Sequence, residues 1–394
     1  MNLCWVLALA MYSLLCGAPA STAAVTGSPI AQLPNAALQL TSYGGYVVFS
    51  ELDATGRWRL MAWHHGSTAT LQVPERTIPF DASAGPSADG APAVVFAKCA
   101  HEPPAEPASP EIQAPPSDWS RAAGCHIYKL ALPGGTPTLV RGMYAPLASD
   151  STPAIWMGDI AFARISRGSR APTLYVWDHA NRRLRRVGGG PSACPALSAV
   201  FEGSFCKRPH GQLSAWVEGM SLDSDALAYQ WILPQDDENP FSAPYAEIRI
   251  DPLRSGQQTA PSQIVYSSIV GGACNGEQGG SPDAVGGRVL YIWHFSVCGQ
   301  YAEKPVSALG SYAIVTRRYS DARVSPGVAV AVAQDHGTTH WIRDTFKEAN
   351  PQLCHSGPGT CDNEGFDYSE TCAPAHSTCT LMQTNNLTSE LKPG

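Results

Sequence analysis

Residues Pro86–Ala97 read PSADGAPAVVFA, a polar turn followed by an apolar run that ends in Phe and Ala. A similar stretch returns at Ser149–Arg164, SDSTPAIWMGDIAFAR, with a Ser/Asp/Pro-rich lead-in, a Gly-Asp turn and another apolar run. Three more apolar runs of this form are Gly45–Ser50, Asp225–Gln230 and Gly287–Ile292. A unit that returns along a chain predicts a repeat architecture.

A second short run follows each of these, and its alternating apolar residues are typical of a half-buried strand. These second runs are Arg57–Trp63, Cys125–Leu132, Pro172–Asp178, Tyr245–Asp251 and Ser311–Arg318. Gly327–Asp335 with Thr339–Asp344 forms a shorter sixth unit. Repeated strands with no helix between them predict an all-β fold, a single β-propeller domain over residues 36–344. Six blades are expected; five blades and a β-sandwich are the alternatives.

The motifs of the second unit are also those of a known repeat family. Pro-Ser-Ala-Asp-Gly precedes the apolar strand, Cys-His-Ile-Tyr-Lys-Leu follows it, and Pro-Gly-Gly-Thr-Pro-Thr-Leu-Val closes the unit. Ser149–Val187 keeps this order without the same turn. The pattern resembles the repeat of TolB-like β-propellers. The resemblance implies a six-bladed ring but no single activity, because such repeats occur in periplasmic scaffolds, in peptidases with a separate catalytic domain and in other exported proteins.

The chain begins with an apolar segment of signal-peptide length. Ala18-Pro19-Ala20 fits the small-x-small rule, so residues 1–20 are predicted to be a signal peptide, with cleavage after Ala23 as the alternative. The apolar run is short for a membrane anchor. Lipid attachment at Cys16 is a minor alternative. The expected location is therefore secreted, periplasmic or on the cell surface.

Twelve cysteines are present, and two of them lie in the predicted signal peptide. The other ten are Cys99, Cys125, Cys194, Cys206, Cys274, Cys298, Cys354, Cys361, Cys372 and Cys379. An even number in an exported chain predicts disulfides. Proximity suggests Cys99–Cys125, Cys194–Cys206 and Cys274–Cys298, whereas the pairing of the last four, in a Cys-rich tail of residues 345–394, stays open. A structural zinc site is disfavoured because no second close pair stands at zinc-finger spacing.

Composition narrows the function classes. Only 15% of the 394 residues are charged, and 36 Gly and 33 Pro suit short strands joined by turns. The net charge of −7 argues against nucleic acid or an anionic membrane as partner. No Gly-x-Ser-x-Gly, His-Glu-x-x-His or Walker-type loop occurs. No catalytic residue, metal or cofactor is therefore predicted.

The candidate ligand-binding residues are Asp81, Asp150 and Trp156. Propellers bind partners over the ring centre, with loops that lead into the innermost strand of each blade. In the register of the repeat these loops include Phe80–Ser83 and Ala148–Trp156. The alternative for the two aspartates is that they cap turns with their own backbone.

Histidines next to aspartates or aromatic residues form the other suggestive motifs. Trp63-His64-His65 is interpreted as a strand end, and Asp178-His179 and Asp335-His336-Gly337 as turns. His179, His336 and His340 would act as general bases only if the fold brings a carboxylate to them.

The predicted function is a non-enzymatic scaffold or binding module for an extracytoplasmic protein or glycan. The alternative is an extracellular enzyme of the polysaccharide lyase or hydrolase type that uses carboxylates and histidines at the ring centre. A purely structural surface protein is a third hypothesis.

Overall fold

The computed structural model describes most of the predicted repeats. It covers residues 25–104, 122–167, 169, 172–188, 216–233, 245–254, 257–269, 277–295, 306–324, 327–346, 377–385, 387 and 392–393. The predicted signal peptide, Cys16, the pairs Cys194–Cys206 and Cys274–Cys298, and tail residues Cys354, Cys361 and Cys372 lie outside the described residues. Within the part of the chain that the structure describes, no helix is long and apolar enough to span a bilayer.

Six antiparallel sheets form the blades of a β-propeller, so the fold prediction is confirmed. Blade 1 contains β2 (Ala37–Tyr43), β3 (Tyr46–Leu52), β4 (Trp58–His64) and β5 (Ser67–Thr70). Blade 2 contains β6 (Ser83–Pro86), β7 (Pro92–Lys98), β8 (His126–Ala131) and β9 (Thr138–Leu139). Blade 3 contains β10 (Ala148–Trp156), β11 (Asp159–Ser166), β12 (Thr173–Asp178) and β13 (Arg183–Val187).

The second half of the ring repeats this arrangement with additions at the outer edge. Blade 4 contains β14 (Trp216–Leu222), β15 (Ala226–Leu233), β16 (Tyr245–Arg254), β17 (Gln257–Gln258) and β18 (Gln263–Ile269). Blade 5 contains β19 (Glu277–Val285), β20 (Arg288–Phe295), β21 (Val306–Ala313), β22 (Arg318–Val324) and β26 (Lys392–Pro393). Blade 6 contains β23 (Val328–Asp335), β24 (Thr338–Phe346), β25 (Ser377–Thr384) and β1 (Ser28–Leu33).

Blade 6 closes the ring with strands from both ends of the chain. β1 pairs antiparallel with β25, with Leu33 opposite Cys379 and Gln32 opposite Thr380. Both strands lie outside the predicted propeller range of 36–344. The propeller therefore includes part of the predicted tail, because β25 supplies the third strand of the blade. Cys379 in this strand is disulfide-bonded.

Apolar clusters between neighbouring blades hold the ring together. Phe49 and Trp58 of blade 1 share a cluster with Phe96 of blade 2 and Ile342 of blade 6. Four other clusters join blades 2 and 3, 3 and 4, 4 and 5, and 5 and 6. Each sheet buries its faces against its neighbours, which is why the second strand of a blade, such as β3, is buried along almost its whole length.

The two ends of the central channel are built differently. At the turn end, tight turns join the innermost strand of a blade to the second one; two-residue examples are Met157-Gly158 in blade 3 and His336-Gly337 in blade 6. All four of these residues have positive φ, as the type I′ turn of a two-residue hairpin requires. Glycine at the second position relieves this strain, while Met157 and His336 stand at the tips. At the opposite end, here called the loop end, longer loops join the second and third strands.

A disulfide closes the base of the long loop between β7 and β8 in blade 2. Cys99 and Cys125 form the predicted disulfide. Beside it, the backbones of His101 and Ala123 pair with each other. The Pro-rich segment 105–121 between these pairs lies outside the described residues.

Candidate functional site

The three predicted ligand-binding residues lie at opposite ends of the channel. Asp81 precedes β6, and Asp150 is the third residue of β10, so both lie toward the loop end. Trp156 is the last residue of β10 and lies at the turn end. The structure therefore does not bring the three side chains into one site.

The carboxylate of Asp81 is buried between two blades. Its Oδ1 accepts a hydrogen bond from the Ala97 amide at 2.9 Å, and its Oδ2 accepts one from the Thr152 amide at 2.5 Å. The Arg76 guanidinium lies 3.8 Å away. Burial raises the pKa of Asp81, and the charge of Arg76 opposes that rise. Asp81 thus connects blade 2 to the strained residue Thr152 of blade 3.

Asp150 forms a closed ion pair with Arg164, the residue directly opposite it on β11. Arg164 Nε and Nη2 donate to the two carboxylate oxygens at 2.6 and 2.8 Å, and Nη2 also donates to the Met143 carbonyl. Burial raises the pKa of Asp150, which Arg164 opposes. Only 1% of Asp150 is exposed, so both acceptor oxygens are occupied within the fold.

Polar side chains of the innermost strands also connect blades 4, 5, 6 and 1. Asp283 of β19 accepts from the Ser221 hydroxyl at 2.7 Å and from the Gln334 amide at 2.6 Å. Burial raises the pKa of Asp283 to about 6, and the charges of Asp223 and Asp335 act in the same direction. Asp335, at the end of β23, accepts from the Gly45 amide at 2.7 Å.

Three rings from three blades converge at the turn end. The Tyr43 ring of blade 1 lies 6.5 Å from Trp156 of blade 3, edge to face, and 5.6 Å from His336 of blade 6. Blades 1 and 3 are not neighbours in the ring, so the contact between Tyr43 and Trp156 reaches past blade 2 at the channel opening. Tyr43 and Trp156 are half-buried, whereas 74% of the His336 side chain is exposed. These residues with Asp335 are here called the turn-end mouth.

Asp335 places a buried carboxylate beside the mouth. Its side chain is only 8% exposed, and Oδ1 accepts no hydrogen bond from the described residues. His336 Nε2 lies 3.6 Å from this oxygen. Burial, and then the charge of Asp335, raises the pKa of Tyr43. The mouth therefore combines aromatic surfaces with negative charge.

The other histidines lie partly at the surface and partly in the core. His64 stacks on Tyr46 at 4.0 Å and touches the ring of His65, all at the turn end of blade 1. His340 is buried, and burial lowers its pKa to about 4. The His179 amide donates to Asp159. Asp335, the carboxylate at the mouth, faces two imidazoles: exposed His336 at 3.6 Å and buried His340, whose pKa its charge acts to raise.

This arrangement suits binding by ring stacking. Exposed and half-buried aromatic rings offer apolar faces, and the adjacent carboxylate and imidazole offer polar contacts. Such a combination of a few polar groups on an apolar surface is typical of small-ligand sites.

Sequence reasoning missed Tyr43 and the role of His336 at the mouth. Tyr43 precedes Gly44-Gly45 just as Trp156 precedes Met157-Gly158, so both aromatic residues end an innermost strand before a tight turn. This shared position is the sequence feature from which Tyr43 could have been predicted as a companion of Trp156. The contact between them depends on ring geometry, which the sequence does not give.

Comparison with known proteins found solved structures of low similarity and no relative by sequence. No protein-family profile and no curated protein sequence matches the chain. Among solved structures, the β-propeller domain of the Trilobed protease from Pyrococcus furiosus matches with a TM-score of 0.37 and 11% identity, over 79% of each chain. A puromycin-hydrolyzing peptidase of Mycobacterium tuberculosis matches with a TM-score of 0.38 and 13% identity, over 80% of this chain and 51% of that one.

A lectin, SapL1, solved in complex with alpha methyl fucoside, matches with a TM-score of 0.37 and 10% identity, over 80% of this chain and 90% of that one. The chain spans about half the length of the puromycin-hydrolyzing peptidase. At these identities the matches carry no information on activity, and membership of the TolB-like family stays a prediction.

Proposed function

We propose that this chain is an exported, non-enzymatic β-propeller that binds a ligand at its turn-end mouth, and that the ligand is a glycan. The observation that carries the proposal is the convergence of Tyr43, Trp156 and His336 from three blades over the channel opening. Aromatic faces with nearby hydrogen-bonding groups match the apolar face and the hydroxyls of a sugar ring. The signal-peptide pattern and the even number of cysteines support export.

The loop end supports this assignment by contrast. Asp81 and Asp150 remain predicted ligand residues, but their carboxylates are already engaged by backbone amides and by Arg164. A ligand that used them would first have to break buried hydrogen bonds, and leaving such groups unsatisfied costs about 1–3 kcal/mol each. A protein partner is the alternative ligand class.

The test is glycan-array screening of the oxidised full chain, followed by calorimetry on the strongest ligand. Trp156→Ala and Tyr43→Ala should each weaken binding by about tenfold or more, because each removes a stacking surface. Tyr144→Ala is the matched control, since Tyr144 is an exposed aromatic residue, 49% accessible, in the loop between β9 and β10. Thermal unfolding of all three variants separates loss of binding from loss of fold. Equal affinity of the control and mouth variants would refute the site.

The second candidate function is an enzyme acting on polysaccharide. Asp283 favours it, because a buried carboxyl with a pKa of about 6 beside the Ser221 hydroxyl is suited to proton transfer near neutral pH. Incubation with the array-positive polymers, with products followed by mass spectrometry, tests this alternative. Turnover that Asp283→Asn abolishes would establish the enzyme; binding without product would support the binding module.

A further inference from the structure

The outermost strand of blade 3 carries a run of arginines. β13 reads RLRRV, and Arg182 directly precedes it. The outermost strands of blades 1, 2 and 6, which are β5, β9 and β1, contain no charged residue. In a chain with a net charge of −7, this run is a local exception. It gives one edge of the ring a positive potential that attracts an anionic partner.

Three of these arginines keep their charge available to a ligand. Arg185 is already bound to Asp178 of β12, at 2.7 Å. Arg182, Arg183 and Arg186 are exposed, and none of them forms an ion pair with a residue that the structure describes. Their guanidinium groups can therefore bind an external carboxylate without breaking an existing contact.

The arginines of β13 lie on both faces of the sheet, because successive residues of a strand alternate between the faces. Arg186 shares a face with Leu184, which pairs with Trp177 and packs between blades 2 and 3. Arg183 lies on the other face, opposite Asp178. A ligand that covered one face would meet only part of this charge. An extended peptide along the edge projects side chains to both faces and can meet all of it.

Blade 5 shows that the outer edge of this ring can accept a further strand. There β26 pairs antiparallel with β22, the fourth strand of the blade, with Lys392 opposite Asp321. In blade 3, β13 pairs with β12, and no described strand pairs with its other edge. Addition of an extended peptide to an open sheet edge is a common mode of peptide recognition.

We propose that β13 is a docking edge for an acidic, extended segment of a partner protein, which adds to blade 3 as a fifth strand. Charged side chains on an edge strand also oppose unwanted pairing. That protection is selective here, because arginines repel a basic strand and form favourable cross-strand pairs with an acidic one. The docking edge belongs to the outermost strand, whereas innermost strands build the turn-end mouth, so this proposal does not depend on glycan binding.

The test measures binding of a fluorescent peptide, Thr-Glu-Glu-Val-Glu-Glu-Thr, to the oxidised full chain by fluorescence anisotropy. Adjacent glutamates place carboxylates on both faces of the added strand. One control peptide has glutamine at every glutamate, and a second keeps the glutamates but has N-methylated backbone amides. We expect the acidic peptide to bind at least about tenfold more tightly than either control, and to weaken as salt is added.

A charge-reversed variant tests the residues. Arg183→Glu combined with Arg186→Glu should weaken binding of the acidic peptide by about tenfold or more. The same variant should gain binding of the lysine analogue of the peptide, because the strand edge is kept while its charge is reversed. The matched control is Arg317→Glu with Arg318→Glu, two exposed arginines at the turn between β21 and β22 with the same change in net charge. All four side chains are exposed, and thermal unfolding checks that both variants fold.

Each contrary outcome overturns a different part of the proposal. No binding of the acidic peptide, or an equal loss in the two double variants, would overturn the docking edge. Equal binding of the N-methylated peptide would overturn strand addition. Tighter binding of a polyuronate than of the peptide, lost in the blade 3 variant, would make the partner an anionic glycan. Affinity for the strongest array glycan should be the same in both double variants, so failure here leaves the mouth intact.

Discussion

The loop end and the turn end of the channel both carry aspartates, but their surroundings differ. At the loop end, Asp150 is 1% exposed and both of its oxygens accept from Arg164. At the turn end, Asp335 keeps one oxygen without a hydrogen-bond donor among the described residues and lies beside an exposed imidazole. The paired carboxylate at the loop end stabilises the fold, whereas the turn end adds half-buried and exposed rings on which a ligand can stack.

The contrast extends to how each end is held. The loop end contains the Cys99–Cys125 disulfide and the Arg76–Glu102 ion pair at 2.7 Å. The turn end relies on short turns, ring contacts and single hydrogen bonds such as the one between Gly45 and Asp335. We therefore expect substitutions at the loop end to change stability, and those at the mouth to change binding.

The largest expected effect on stability is that of Arg164→Ala. The substitution leaves Asp150 buried without its partner, and breaking a buried pair in this way destabilises proteins by about 3–5 kcal/mol. Urea unfolding followed by tryptophan fluorescence measures the change. Arg59→Ala is the control, because Arg59 is 42% exposed where it pairs with Asp53 and Glu75. Equal midpoints for the two variants would contradict the structural role of the Asp150–Arg164 pair.

Replacing both Cys99 and Cys125 with serine should have the next largest effect. The bridge closes a loop with a sequence separation of 26, for which the chain-entropy estimate is about 3 kcal/mol. Urea unfolding of the double variant measures this loss, and calorimetry on the same sample should find ligand affinity unchanged. Weaker ligand binding by a folded double variant would show that the two ends are coupled.

Asp283→Asn should change how stability depends on pH. The folded-state pKa of about 6 lies above the ordinary Asp value of 3.8, so the folded chain keeps this proton to higher pH than the unfolded chain. Its contribution is fully present below about pH 4 and is lost as pH rises through about 6, on the order of 2–3 kcal/mol.

Urea midpoints between pH 4 and pH 7 test this prediction. The wild type should lose more stability over the range than Asp283→Asn, and parallel curves would contradict it. Asp89→Asn is the control with the opposite sign, because the hydrogen bond from Ser87 lowers the pKa of exposed Asp89.

The smallest expected effect on stability is that of His336→Ala. The side chain is 74% exposed, so the free energy of unfolding should change by no more than about 0.5 kcal/mol. Binding of the strongest glycan ligand should still weaken, by about threefold, because one wall of the mouth is lost. Unchanged affinity would limit the mouth to Tyr43, Trp156 and Asp335.

The sequence predicted the repeat well because each blade is a local unit. The turn and apolar run at Pro86–Ala97 carry their own pattern, and most strands of a blade follow closely in the chain. The sequence did not predict strand pairing between segments that lie far apart in the chain. β25 follows β24 only after residues 347–376, and β1 pairs with it from the other end of the chain.

The candidate site shows the same limit. Asp81 and Asp150 were placed near the ring centre by the repeat register, but only strand pairing puts Arg164 opposite Asp150. Trp156 was identified without its neighbours, because Tyr43 and His336 reach it from blades 1 and 6 across the ring. Side chains that meet over a channel leave no spacing pattern in the sequence.

The most direct test of the difference between the two ends is hydrogen–deuterium exchange of the oxidised chain with and without its strongest glycan ligand. We predict slower exchange on binding in peptides that cover Tyr43–Tyr46 and Trp156–Asp159, with no change around Arg76–Asp81. Slower exchange confined to Arg76–Asp81 and the first residues of β10 would contradict the account and place the ligand at the loop end.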